Sequence, residues 1–185
     1  MSLNAFNKIG KAVDSGDVHY QYVYKTAIPA SGTAGYVVDA NQSSGLPVYN
    51  AYAGSATTFT PLTGQKNQGI YPGNYSTGKS KHLARMQMLE VSGTSPNLFY
   101  LCDYLGFYPL VDCDSTDQQD MDNSLSLTRQ SSGEGVRAVL IASAPMVSTA
   151  SVTVSYTNSH GVSGRTVTFN VVPAATIGVC ATGTS

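Results

Sequence analysis

Apolar and polar residues alternate along much of the chain, and this period of two residues predicts β-strands. The most regular example is a hairpin, with strands over residues 152–156 and 166–171 and a turn over residues 158–164. Further short strands are predicted at residues 18–24, 36–39, 46–53, 57–62, 83–91, 98–105 and 136–143. About eight to ten short strands with frequent turn residues between them are typical of a β-sandwich or jelly roll. The predicted fold is therefore all-β, in a single domain of that kind.

The N-terminal residues follow a helical period instead. Leu3, Phe6 and Ile9 recur at the spacing of one helix face within residues 2–13, and Gly16 is a suitable stop. A helix this short is marginal on its own, so it needs a surface to lie on. That surface belongs either to the rest of this chain or to a neighbouring subunit, on which the three apolar side chains would dock.

Glycine and proline interrupt the pattern between residues 41 and 75, and tyrosines are interspersed among them. Aromatic side chains in such loops are often contact residues, because they combine a large apolar ring with a polar tip. The alternative is that the same rings cover the edge of a sheet. The tyrosines predicted to make partner contacts are Tyr49, Tyr52, Tyr71 and Tyr75.

Charged residues are scarce, at 11% of the 185 residues, whereas an average soluble domain has about 25%. The hydrophobic fraction of 42% argues against disorder, and a surface poor in charge is typical of permanent interfaces. The length fits one domain, with an N-terminal arm or short helix over residues 1–17 and a β-sandwich over residues 18–185. Self-association into a homo-oligomer, a dimer or a trimer, is also expected.

Nucleic acid and membranes are not expected as partners. The net charge of −1 leaves no basic stripe for a phosphate backbone. No stretch approaches the ~20 apolar residues of a membrane helix, and the N-terminus lacks the pattern of a signal peptide. The chain is therefore predicted to be made in a cytoplasm.

Candidate catalytic residues are sparse. The three histidines, His19, His82 and His160, lie in separate segments, and the chain has neither a nucleophile elbow nor a glycine-rich phosphate loop. We therefore predict no enzymatic activity and no cofactor.

The three cysteines, Cys102, Cys113 and Cys180, do not follow a metal-ligand pattern. Cys102 lies within the predicted strand at residues 98–105 and is predicted to be a small buried residue. The alternative is one disulfide between Cys180 and either of the other two.

Five aspartates follow one another closely at Asp112, Asp114, Asp117, Asp120 and Asp122. Three interpretations stay open for this run. It is a solvated acidic loop, or an acidic patch that pairs with basic groups such as the arginines at 129, 137 and 165. Alternatively Asp112, Asp114 and Asp117 bind Ca²⁺, which prefers carboxylate and carbonyl oxygens, although the spacing is not that of an EF-hand.

Two stretches of the chain resemble a known group of proteins. The first is Leu-Phe-Tyr-Leu-Cys-Asp-Tyr-Leu-Gly-Phe-Tyr-Pro-Leu-Val at residues 98–111, followed by a polar loop and Gly-Glu-Gly-Val. The second is the hairpin Ser-Tyr-Thr-Asn-Ser-His-Gly-Val-Ser-Gly-Arg-Thr at residues 155–166. In this order, within residues 80–172, they resemble virion structural proteins of tailed bacteriophages and prophages.

The resemblance implies a structural role and no catalytic residues. On that basis we interpret the chain as a capsid-decoration or cement protein of the virion, with the major capsid protein as its partner. The alternative is a tail, head-fibre or receptor-binding module that recognises a host surface glycan, because aromatic rings stack on sugars.

Overall fold

The computed structural model describes residues 6–26, 37–49, 52–62, 69–71, 82–89, 98–122, 127, 129–171, 173 and 177–184. Strands predominate there over one α-helix, α1 (Phe6–Asp14), and one 3-10 turn, Ala40–Gln42. The strands are β1 (Tyr24–Lys25), β2 (Val37–Val38), β3 (Gly45–Leu46), β4 (Thr60–Pro61), β5 (Gly106–Phe107), β6 (Val139–Ile141), β7 (Ala150–Tyr156), β8 (Arg165–Val171) and β9 (Val179–Thr184). The prediction of an all-β protein is confirmed at this level.

Helix α1 confirms the predicted N-terminal helix over the part of it that is described. The helix is followed by Gly16 in the left-handed conformation, with φ of 73°, which residues with a side chain rarely adopt. The Gly16 N–H donates to the Val13 carbonyl, and the Val18 N–H donates to the Ala12 carbonyl, at 3.0 and 3.1 Å. Ala12 is buried, so the last turn of the helix packs against other parts of the chain.

The largest sheet has five strands, and β9 connects most of them. Its antiparallel neighbours β2 and β6 flank it, so Cys180 lies between Val37 and Ile141. Further along β9, Gly183 is opposite Phe169 of β8. Strand β7 stands at the end of the order β2-β9-β8-β7.

Strands β7 and β8 form the hairpin that the alternation predicts. Their register is unbroken over seven residue pairs. Val152 is opposite Phe169 on the apolar face, and Thr153 is opposite Thr168 on the hydroxyl face, where their Oγ1 atoms lie 3.1 Å apart. Period-two alternation in both strands thus gives the hairpin one apolar face and one hydroxylated face.

Two smaller antiparallel pairs lie outside this sheet. β1 pairs with β3, and β4 pairs with β5. The Phe59 ring lies directly on Gly106 of β5, where a Cβ atom would come within 2.1 Å of the ring. In the residues that the structure describes, all three sheets are small and unclosed.

The core is limited. The buried apolar residues of the described segments are Ala12, Leu62, Phe169, Val171 and Cys180. Phe169 is the largest of them, with 3% of its surface exposed. The centre of the core therefore lies under the β8 and β9 part of the main sheet. No helix in the described segments is long and apolar enough to cross a membrane.

Three strand predictions are wrong in whole or in part, and one burial prediction is wrong. The strand predicted at residues 18–24 forms only at Tyr24, the first residue of β1. For the strands predicted at residues 83–91 and 98–105, the described residues 83–89 and 98–105 make no strand, and Leu98 is 78% exposed. Both segments are rich in apolar residues, but a strand also needs a partner for its backbone groups, and no described strand pairs with either segment. For the same reason Cys102 is exposed and not buried.

Candidate functional site

The residues predicted to dock on a partner are spread over the chain. Phe6 and Ile9 belong to helix α1. Leu3 and Tyr75 lie outside the described residues. Tyr49 follows β3 and its side chain is exposed, as a contact residue requires.

Tyr71 lies against the segment that follows helix α1. Its ring makes an edge contact with His19, with the ring centres 6.3 Å apart. The Gln21 side chain accepts a hydrogen bond from the Tyr71 N–H and donates one to the Gly69 carbonyl at 3.2 Å. The Gln21 side chain thus binds two backbone groups of residues 69–71 and holds these residues against the N-terminal segment.

Tyr52 is half-buried and lies between β5 and the end of β2. Its ring centre lies 4.9 Å from that of Phe107 and 6.4 Å from that of Tyr104. Its hydroxyl donates to Asp39 Oδ2 at 3.4 Å. The structure therefore brings one predicted contact tyrosine into a polar cluster, the Asp39 cluster, which consists of Asp39, Gln42, Tyr52 and Tyr104.

Asp39 caps the 3-10 turn at the end of β2. Its Oδ1 accepts a hydrogen bond from the Asn41 N–H at 2.8 Å, and its own N–H donates to the Gly178 carbonyl at 2.8 Å. Burial raises the pKa of the Asp39 carboxyl above its usual value. The hydrogen bonds from Asn41 and Tyr52 and the charge of Lys25 oppose that increase.

The other titratable groups of this region are shifted toward their neutral forms. Burial, followed by the negative charge of Asp39, raises the pKa of Tyr104 and raises the pKa of Cys180 to about 11. Burial lowers the pKa of Lys25, whose Nζ donates to the Ser43 and Pro47 carbonyls at 3.1 and 2.7 Å. A thiol with a raised pKa is a poor nucleophile, so Cys180 acts here as a packing residue.

All three cysteines are free thiols. Cys113 is partly buried, and burial together with the charges of Asp112 and Asp114 raises its pKa. The disulfide considered from the sequence is therefore not formed in this structure.

Arg129 joins two distant segments through four hydrogen bonds. It binds both carboxylate oxygens of Asp103, and it donates to the carbonyls of Leu62 and Tyr104 at 2.7 and 3.1 Å. The sequence suggested the acidic run as the partner of this arginine, whereas the structure shows Asp103. The contact fixes residues 103–104 next to the end of β4.

An exposed apolar segment precedes this contact. Residues 98–101 carry Leu, Phe, Tyr and Leu, and all four side chains are exposed. We call residues 98–101 the apolar segment. The sequence did not predict that these residues are exposed, because the same composition is typical of a buried strand.

Two exposed tyrosines were also missed. Tyr20 and Tyr22 lie between helix α1 and β1, in residues that make no strand, and Tyr22 is 79% exposed. The sequence predicted a strand there, and it did not show that both side chains are exposed.

The acidic run forms an exposed loop with internal hydrogen bonds. Asp112 Oδ1 accepts from the Asp114 N–H at 2.9 Å, and the Gln119 side chain bonds the Asp112 N–H and carbonyl at 2.9 and 2.8 Å. Asp117 is exposed nearby, with its N–H bonded to Ser115 Oγ. Among the described residues no three acidic, histidine or cysteine side chains converge as a metal site does.

A cleft lies at the turn end of the β7–β8 hairpin. It is lined by Tyr156, Gly164, Arg165 and Thr166, with a volume of about 490 Å³. His160 lies in the adjacent turn, with its Nδ1 at 3.5 Å from Ser159 Oγ. An open cleft with one ring and one guanidinium can contact a sugar or a carboxylate from a partner, as Arg and aromatic side chains commonly do.

Comparisons with known protein families, with curated proteins and with solved structures give no match to this chain.

Proposed function

We propose that the chain is a structural protein of a tailed-bacteriophage virion, which binds the major capsid lattice as a decoration or cement protein. The observation that carries the proposal is the exposure of many large apolar side chains in a chain with only 11% charged residues. A free monomer exposing such surface tends to associate, because water is released from apolar area on contact.

Within this exposed apolar surface we single out the apolar segment, because its four consecutive side chains are all exposed. Each large apolar side chain moved from water into an interface contributes about 1.5–3 kcal/mol when fully buried. The Arg129 contacts hold residues 103–104, which follow the segment, so the segment loses less conformational entropy on binding. The resemblance of residues 98–111 and 155–166 to virion structural proteins indicates the kind of assembly.

The proposed fold is a β-sandwich or jelly roll, in which the apolar face of the β7–β8 hairpin lies inside. Burial of Phe169 and Val171 on that face supports it. The N-terminal arm, with Leu3, Phe6 and Ile9, would reach a neighbouring subunit, and Tyr49, Tyr71 and Tyr75 would make lateral contacts.

Stabilisation follows from preferential binding. A protein that binds the assembled lattice and not the free subunit shifts the equilibrium toward the assembled state. Copies repeated around a symmetry axis add avidity to each single contact.

The experiment is co-sedimentation of the purified protein with capsids that lack it, followed by thermal melting of the capsids. We expect saturable binding and a higher melting temperature. Leu98→Gln with Tyr100→Gln should weaken binding by about tenfold or more, since two side chains of the apolar segment lose contact area. Val147→Gln is the matched control, because Val147 is 94% exposed but lies outside the segment. Absence of capsid binding contradicts the proposal.

The second candidate is a receptor-binding module that recognises a host glycan. Exposed Tyr20 and Tyr22 and the cleft at Tyr156 and Arg165 favour it, because sugars stack on aromatic faces and bond to guanidinium groups. Binding to intact host cells without binding to capsids would support this candidate, and Tyr22→Ala should then abolish cell binding.

A further inference from the structure

We propose that the chain forms a two-fold symmetric dimer by antiparallel pairing of strand β7 with β7 of a second copy. This interface goes beyond the proposed function and does not depend on it. In the described part of the chain, β8 is the strand that pairs with β7, and the opposite edge of β7 carries no ladder.

The edge of β7 lacks the devices that protect other edge strands. Exposed edges usually carry a lysine, a proline or a bulge that prevents pairing with another chain. Strand β7 reads Ala-Ser-Val-Thr-Val-Ser-Tyr, without charge or proline, and its register with β8 is unbroken over seven pairs. An uncharged edge of seven residues without a bulge is a template for a further strand.

The second copy is the occupant that this strand fits best, because its sequence is self-complementary. Antiparallel pairing centred on Thr153 places Val152 opposite Val154 of the copy, and Ser151 opposite Ser155. Apolar residues then meet apolar residues on one face, and hydroxyl residues meet hydroxyl residues on the other. Directly opposite side chains of this kind stabilise antiparallel sheets.

The same pairing covers surface that the monomer leaves open. Phe169 and Val171 are buried on the apolar face of the hairpin, whereas Val154 and Tyr156 at its other end are exposed. A two-fold axis at Thr153 would bring these exposed side chains next to the apolar face of the copy. An isologous contact of this type closes on itself and does not extend into a fibre.

Cysteine cross-linking tests the register directly, in a background with Cys102→Ser and Cys113→Ser so that only the buried Cys180 remains. Thr153→Cys lies on the axis, and we expect it to form a disulfide with its own copy. Ser155→Cys alone should not, because its copy would lie about 14 Å away along the strand. A mixture of Ser151→Cys and Ser155→Cys proteins should cross-link.

The association itself is measured by sedimentation equilibrium of the full chain over a range of concentrations. Thr153→Lys should weaken the dimer by about tenfold or more, because two ammonium groups would face each other across the axis. Thr166→Lys is the matched control, since Thr166 is exposed on the same hydroxyl face of β8 but away from the edge. We expect it to leave the dimer unchanged.

Either measurement can overturn the proposal. A chain that stays monomeric at all concentrations excludes the dimer, and a dimer that survives Thr153→Lys uses a different surface. Cross-linking of Ser155→Cys as readily as Thr153→Cys shows a different register or a nonspecific contact.

Discussion

The guanidinium of Arg129 binds the carboxylate of Asp103 in a bidentate pair, with Nη2 at 2.7 Å from Oδ1 and Nε at 3.1 Å from Oδ2. The pair itself is exposed, since 68% of the Asp103 side chain is accessible. The same arginine also donates to two backbone carbonyls, those of Leu62 and Tyr104. Its structural contribution therefore exceeds that of the ion pair.

Replacement of the two partners should separate these contributions. Arg129→Ala removes the bonds to both carbonyls and should cost about 2–3 kcal/mol of unfolding free energy. Asp103→Ala removes only an exposed ion pair and should cost less than about 1 kcal/mol. Urea unfolding followed by circular dichroism measures both values. Equal losses for the two variants would show that the carbonyl contacts contribute nothing.

The Asp39 carboxyl predicts a pH dependence of stability. Its pKa is raised in the folded protein, so the folded state holds the proton more tightly than the unfolded state. The stability that this proton contributes is present below the unfolded pKa, about 3.9 for aspartate, and is lost as the pH rises through the folded pKa. Asp39→Asn keeps a side-chain acceptor for the Asn41 N–H but cannot ionise.

We therefore expect the unfolding free energy of Asp39→Asn, relative to that of the native chain, to increase with pH through this window and then to level off. Tyr52→Phe is the companion variant, because loss of the hydroxyl removes a bond that lowers the Asp39 pKa. It should extend the window to higher pH. A relative stability that falls as the pH rises would mean that the folded protein stabilises the carboxylate.

The hairpin could be predicted because it is determined by residues that are close together in the sequence. Alternation in both strands sets the two faces, and the Asn158 carboxamide closes the turn by accepting hydrogen bonds from the His160 and Val162 N–H groups. The prediction failed for residues 98–105, where composition indicates a strand but only a distant partner can complete its ladder. Local composition cannot supply that partner.

The contacts around the candidate site were beyond prediction for a related reason. The Asp39 cluster joins residues from positions 39, 52 and 104, and Arg129 reaches Leu62 across 67 positions. From charge alone, Arg129 could pair with any of several aspartates. The fold of the backbone brings Asp103 next to it. Exposure of Tyr22 depends likewise on what the rest of the chain leaves uncovered.

Replacing two of the glycines by alanine should change the stability of the protein in opposite directions. A Cβ atom on Gly106 would come within 2.1 Å of the Phe59 ring, so Gly106→Ala should cost about 1–3 kcal/mol as the ring is displaced. Gly10 lies in helix α1 with nothing within 4 Å of an added Cβ, and Gly10→Ala should stabilise by about 0.5–1 kcal/mol. Thermal melting of both variants tests this. A stabilising Gly106→Ala would mean that the Phe59 ring does not lie on β5.

Alanine substitutions at the two ends of the hairpin's apolar face should lower the unfolding free energy by different amounts. Phe169 is 3% exposed, and Phe169→Ala should cost about 3–5 kcal/mol because it leaves a cavity. Val154 is exposed in the monomer, so Val154→Ala should cost less than about 1 kcal/mol in dilute solution. At concentrations where the chain dimerises, the cost of Val154→Ala should increase, since Val154 then faces Val152 of the copy. Phe169→Leu provides a milder core variant if the alanine variant does not fold. A cost of Val154→Ala that is independent of concentration would place the dimer contact elsewhere, and a cost as large as that of Phe169→Ala would mean that the whole apolar face is already covered within one chain.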